Sequence, residues 1–155
     1  MKLVINKRYG GFGLSYTAMM RIFDLKEIEV YPFYRKFISE NRSYTFQRID
    51  KDFIESGSIM SGVSYFESNP KEDNFSMTEQ EYYGGGGPGE VFLDFEGDFR
   101  RNDISLVQAV EELGRKANGR FSRLKIVEIP ENHSYRIRDY DGVETVYHGI
   151  DLGEK

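Results

Sequence analysis

The chain has 155 residues, 39% hydrophobic and 30% charged, enough apolar mass for one core under a well-charged surface and too short for two ample ones. Its 26 acidic and 21 basic residues leave a formal charge of −5, which argues against a protein that grips long nucleic acid over its whole surface. No apolar run reaches the length of a membrane span, and the amino terminus turns polar at Asn6, Lys7 and Arg8 before a signal-peptide core could form, so a soluble, intracellular protein is expected. The absence of cysteine removes disulfides, thiolate nucleophiles and zinc ribbons, and two histidines supply little acid–base or metal chemistry. What abounds is Tyr (11), Phe (12) and Gly (16), a profile that favours recognition over bond breaking.

Leu3, Val4 and Ile5 form a short apolar run that reads as a buried strand. The glycine turn Tyr9-Gly10-Gly11-Phe12-Gly13 follows, and then Ser15 as a helix N-cap ahead of Tyr16, Met19, Met20 and Phe23 at helical spacing, so a helix is predicted over Tyr16 to Asp24. Glu27 to Phe37 is rich in Ile, Val, Tyr and Phe, but Pro32 points to an edge or irregular strand. Tyr44 to Ile49 alternates as a strand, Ser56 to Phe66 reads as a further one, and Glu67 to Glu81 is polar enough for a loop. Tyr82-Tyr83 and the tetraglycine that follows form the strongest linker or flap signal. Behind them Val91, Leu93 and Phe95 alternate with polar positions like a strand carrying acids on its solvent face.

Asn102 or Asp103 can cap a helix over Ile104 to Leu113, ended by Gly114 or running on to Ala117. Leu124 to Ile129 reads as a strand stopped by Pro130, and Tyr135 to His148 as a hairpin turning at Asp141-Gly142. That turn sets the register: Tyr140 faces Val143, Asp139 faces Glu144, Ile137 faces Val146 on the core side, and Arg136 faces Tyr147 as a cation–π pair. Asp139 opposite Glu144 requires a cation, a basic neighbour or a site, because facing like charges repel.

Strand, glycine turn and helix N-terminus is how backbone amides are aimed at an anion, and Lys7 and Arg8 add charge beside Tyr9, Gly10, Gly11 and Phe12. The competing reading is a tight turn that needs positive φ. Tyr82 and Tyr83 would stack on a planar ligand as a lid, or sit at an exposed loop tip; Arg100 and Arg101 would meet a phosphate at the next helix, or simply face solvent. Asp94, Glu96 and Asp98 resemble a carboxylate cluster but read better as a solvated strand face. His133 and His148 could meet at the base of the hairpin, with Asp139 or Glu144 as a third metal ligand, but no fixed ligand spacing supports this, and neither a metal nor a cofactor is expected.

Two blocks, Lys2 to Ser15 with LVIN and YGGFGLS, and Arg101 to Val146 with RND, VEELG, KANG, LKIVEIP and DYDGVETV, resemble a family of small proteins, without assigned activity, that recurs in bacteriophage and prophage genomes. The blocks cover well under half of the chain, and the ending HGIDLGEK departs from the more charged and aromatic tail of that family. The resemblance implies a phage context, the cytoplasm of an infected host, and no functional residue to carry over.

The resulting expectation is a single α+β domain over 1–155, a mostly antiparallel sheet packed by two helices, with 26–97 as a glycine-rich flap or insertion between the blocks. Its leading function is a phage accessory binding protein that works without chemistry. It would capture a nucleotide-like defence signal through Lys7, Arg8, Tyr9, Gly10, Gly11, Phe12, Tyr82, Tyr83, Arg100 and Arg101. The alternatives are an inhibitor of a host protein acting through an aromatic interface, with the acidic balance attracting a basic host surface, and a metal-dependent phosphodiesterase using Asp94, Glu96 and Asp98. Neither a membrane nor long nucleic acid is an expected partner, and a homo-oligomer is left open.

Overall fold

The computed structural model describes residues 1–50, 62–95 and 100–150. In chain order the elements are β1 (Lys2–Asn6), α1 (Tyr16–Leu25), β2 (Tyr31–Ile38), β3 (Ser43–Arg48), β4 (Gly62–Phe66), β5 (Asn74–Thr78), α2 (Glu79–Tyr83), α3 (Ile104–Leu113), β6 (Leu124–Glu128), β7 (Ser134–Tyr140) and β8 (Val143–Gly149). The fold is α+β with antiparallel strands, but the strands form three sheets, β1–β6, β4–β2–β3–β5 and β7–β8, rather than one. The chain divides into two compact units, one of residues 1–27 with 94–155 and one of residues 28–93, and no described sheet is shared between them. Among the described residues no helix is long and apolar enough to cross a membrane.

In the first unit, Leu3, Val4 and Ile5 are buried on β1, which pairs with β6 from Lys2↔Glu128 to Asn6↔Leu124. Ala18, Ile22 and Phe23 of α1 and Leu106, Val107, Ala109 and Val110 of α3 are buried with them. Both helices start where the sequence places their caps: Ser15 Oγ accepts the Ala18 amide at 3.1 Å, and Asp103 Oδ1 accepts that of Leu106 at 3.0 Å. Both candidate stops of α3 are used, because the α-helix ends at Gly114 and a 3-10 turn carries the chain on to Ala117. The hairpin β7–β8 turns at Asp141 and Gly142, both with positive φ, in the register derived from the sequence.

The second unit is built on a four-stranded sheet whose buried face carries Phe33, Tyr44, Phe46, Phe66 and Met77. Here β2 is an interior strand, not an edge. The Pro32 carbonyl accepts from Ile49 at the end of the β2–β3 ladder, so its missing N–H points to a place where the ladder has already run out. The segment read as a loop over Glu67 to Glu81 contains β5 and the start of α2. Its strand, NFSMT, turns only Phe75 and Met77 inward, too few apolar residues to stand out in a polar stretch. Among its described residues, the acidic segment after the glycines forms no ladder beyond a bridge from Glu90 to Phe66, although Val91 and Leu93 are half-buried and Phe95 is buried as the alternation requires. The front of the Ser56 to Phe66 strand, Glu96 and Asp98 lie outside the described residues.

Candidate binding surface

The most constrained chemistry of the first unit lies under the hairpin turn. Glu144 sits on the inner face of β8, 4% exposed, and Arg101, 3% exposed, meets it in a two-pronged ion pair with Nη1–Oε1 and Nη2–Oε2 both 2.6 Å. Arg101 also donates from Nη1 to the Val4 carbonyl at 3.2 Å and from Nε to the Phe95 carbonyl, and its guanidinium lies 3.8 Å from the centre of the Phe12 ring. Glu144 Oε1 further accepts the Asn6 amide at 2.7 Å. This supplies the cation that the facing acids demand. The other acid, Asp139, turns to the hairpin turn and accepts the Gly142 amide at 2.6 Å.

Asn6, fully buried, ties three segments together: its side-chain amide donates to the carbonyls of Arg8 and Gly142 at 2.7 and 2.6 Å, and its Oδ1 accepts the Arg123 amide at 2.9 Å. Lys7 Nζ donates to the Glu144 carbonyl at 3.0 Å. The glycine turn is therefore docked onto the hairpin. Gly10 donates its amide to the Asp141 carbonyl at 3.2 Å, and a Cβ on Gly142 would collide with the Gly11 nitrogen. Gly10 is equally confined, since its own Cβ would stand 2.9 Å from that of Phe121.

The structure distributes the sequence-derived candidates accordingly. Lys7, Gly10, Gly11, Phe12 and Arg101 are engaged in holding the hairpin, with the Gly10 amide and the Arg101 guanidinium both committed within the protein. Arg8, Tyr9 and Arg100 are exposed. The N-terminus of α3, where a phosphate was to meet Arg100 and Arg101, is occupied by the carboxylate of Asp103. Burial works against that charge, but the 2.7 Å ion pair with Lys26 and the amides of Leu106 and Ser105 hold its pKa below the ordinary value. Tyr82 and Tyr83 belong to the other unit, where they lie on α2 rather than on an open flap. Tyr82 packs against Tyr44 and Phe46 and bonds Arg35 and Glu90 through its hydroxyl, and Tyr83, though exposed, shares a 3.0 Å hydrogen bond with Tyr44. Asp94 is exposed, and among the described residues no group of three or more His, Cys, Asp or Glu side chains is placed to hold a metal.

Sequence reasoning missed the surface that this scaffold presents. The outer face of β7–β8 carries Arg136, Arg138, Tyr140, Val143, Thr145 and Tyr147, with two arginines and no acid, on a chain that is acidic as a whole. Tyr140 is 74% and Tyr147 49% exposed. The cation–π contact on this face joins Tyr147 to Arg138, at 5.6 Å, rather than to Arg136 directly opposite, because the longer diagonal lets the guanidinium reach across the ring. A depression of about 380 Å³ is lined by Arg138, Asp139, Tyr140, Val143, Thr145 and Tyr147. The signal for this face was present in the alternation of the hairpin, whose polar-side positions are Tyr and Arg instead of Lys, Glu or Ser. Compared with protein-family models, curated proteins and solved structures, the chain matches none.

Proposed function

We propose that this is a phage-encoded accessory protein of the infected host's cytoplasm that works by binding, without chemistry of its own, and that its partner is a host protein held on the outer face of β7–β8. The observation that carries this reading is the pairing of a rigid root with an exposed aromatic and basic face. The hairpin is fixed from below by Arg101, Glu144 and Asn6, and presents Tyr140, Tyr147, Arg136 and Arg138 above. Tyr and Arg dominate the energetics of protein interfaces, and presenting them on a pre-organised element lowers the entropy cost of binding. Since this face is basic, it suits an acidic patch on the partner, the reverse of what the net charge of the chain suggests.

Capture of a nucleotide-like molecule remains the second reading, supported by the depression between Arg138 and Tyr147, where a base would stack on the ring and a phosphate would meet the guanidinium. One experiment separates the two. The full chain is incubated with a nucleotide panel and with host extract and examined by native mass spectrometry, beside a variant carrying Arg138→Ala and Tyr147→Ala. A stoichiometric protein partner lost in the variant supports the interface. A retained small molecule lost in the variant supports capture, and partners kept equally by both proteins refute the assignment of this face.

A further inference from the structure

At the end of the hairpin remote from Glu144, the turn that closes with the His133 amide on the Pro130 carbonyl brings His133 beside His148 of β8. Their Nδ1 atoms are 2.7 Å apart, with ring centres at 5.0 Å and planes inclined by 33°. We infer that His133 and His148 form a chelating site for a borderline divalent transition-metal ion, Cu²⁺, Ni²⁺ or Zn²⁺. This inference is independent of the partner proposed above.

Two imidazole nitrogens directed at one point can share a single Lewis acid. One proton satisfies the pair at the observed separation, whereas two protons would collide. A metal ion with bonds of about 2.0–2.1 Å to each nitrogen in tetrahedral geometry needs them about 3.4 Å apart. The required opening is well under 1 Å by that geometry, within the reach of side chains at a turn and a strand end, with His148 exposed and His133 half-buried. The ligand set is two neutral imidazoles, which suits Cu, Ni and Zn and disfavours Mg and Ca. Neither acid of the hairpin joins it: Glu144 is bonded to Arg101 and Asp139 to the Gly142 amide, both toward the other end. Among the described residues no third His, Cys, Asp or Glu completes the set, so the remaining positions on the ion are left to water or to a donor from a second molecule.

The test is calorimetric titration of the tag-free full chain with Cu²⁺, Ni²⁺ and Zn²⁺ near neutral pH, alongside His133→Ala and His148→Ala, with amide NMR spectra to confirm that both variants stay folded. One ion per chain is expected, bound in the order Cu²⁺ over Ni²⁺ and Zn²⁺. Each substitution should weaken binding by about a hundredfold, the scale on which a second linked ligand raises affinity, and the perturbed amides should cluster at the Pro130 turn and the end of β8. Equal affinities in the three proteins, or no binding at millimolar metal, would overturn the site.

Discussion

Replacing Glu144 by Gln keeps the size and shape of the side chain and its capacity to accept the Asn6 amide, but presents an NH₂ group to the guanidinium of Arg101. The 2.6 Å bond from Nη2 is lost, and the one from Nη1 keeps its oxygen but loses the negative charge, so Arg101 remains buried as a cation with only neutral partners: that oxygen, the Val4 and Phe95 carbonyls and the Phe12 ring. Breaking a buried pair from one side costs about 3–5 kcal/mol, a large part of the ~5–15 kcal/mol that holds a typical domain together. The surface pair of Lys2 with Glu111, at 3.0 Å and nearly half exposed, supplies the control. Glu111→Gln should cost less than about 1 kcal/mol. Urea unfolding followed by circular dichroism gives both values, and amide hydrogen exchange should show the loss concentrated at Leu3 to Asn6 and Val143 to Tyr147. Adding Arg101→Met to Glu144→Gln removes the stranded cation, so the double variant should be less destabilised than the sum of the singles by about 2–3 kcal/mol. Glu144→Gln within about 1 kcal/mol of the parent, or strict additivity in the double variant, would refute the view that this pair holds the hairpin root.

In the second unit the Tyr44 hydroxyl, hydrogen-bonded to that of Tyr83 and buried, has its pKa pushed up to about 12 from the ordinary 10.0. The folded state keeps this proton while the unfolded chain loses it near 10, so the associated stability is present below pH 10 and is lost as pH rises through about 12. Ultraviolet titration should show a late tyrosine phase, to which Tyr16, Tyr31 and Tyr82, whose pKa values are also raised, contribute beside Tyr44, and Tyr83→Phe should shrink its latest part by moving Tyr44 back toward the ordinary value; an unchanged latest part would refute the pairing. Gly142→Ala places a methyl group against the Gly11 amide and a side chain at a φ of 92°. A left-handed backbone alone costs about 1–2 kcal/mol, so a clear fall in melting temperature is expected, and a neutral result would show that the glycine turn is not docked on the hairpin.

The strands and helices of the first unit were legible because each follows a local rule: a buried run for β1, capped amphipathic stripes for α1 and α3, and an Asp-Gly turn that fixes seven residue pairs of the final hairpin. The facing acids announced a missing cation, but not that it would be Arg101, 43 residues away in sequence, since periodicity is blind to contacts of that range. The same blindness hid Asn6, whose single polar side chain at the end of an apolar run gathers three backbone groups, two of them more than a hundred residues away. Adjacency in the chain groups Arg101 with Arg100, although the one is buried and the other exposed. In the second unit β5 was lost for a different reason. Two inward residues among five suffice for an edge strand once Phe46 and Tyr44 are there to receive them, and only the folded sheet reveals that they are.

The pairing of β1 with β6 has a consequence for the order in which the chain takes shape as it is made. Leu3, Val4 and Ile5 are synthesised well before their strand partner, which begins at Leu124, and before the hairpin that caps it, which ends at Gly149. Every described strand of the second sheet is synthesised in between, from Tyr31 to Thr78. At about 5–20 residues per second, that sheet has several seconds to form while the first strand waits unpaired. The unpaired β1 segment therefore needs shelter while the rest is made, and slowing translation across Ile104 to Gly149 should increase aggregation of nascent chains without altering the finished protein.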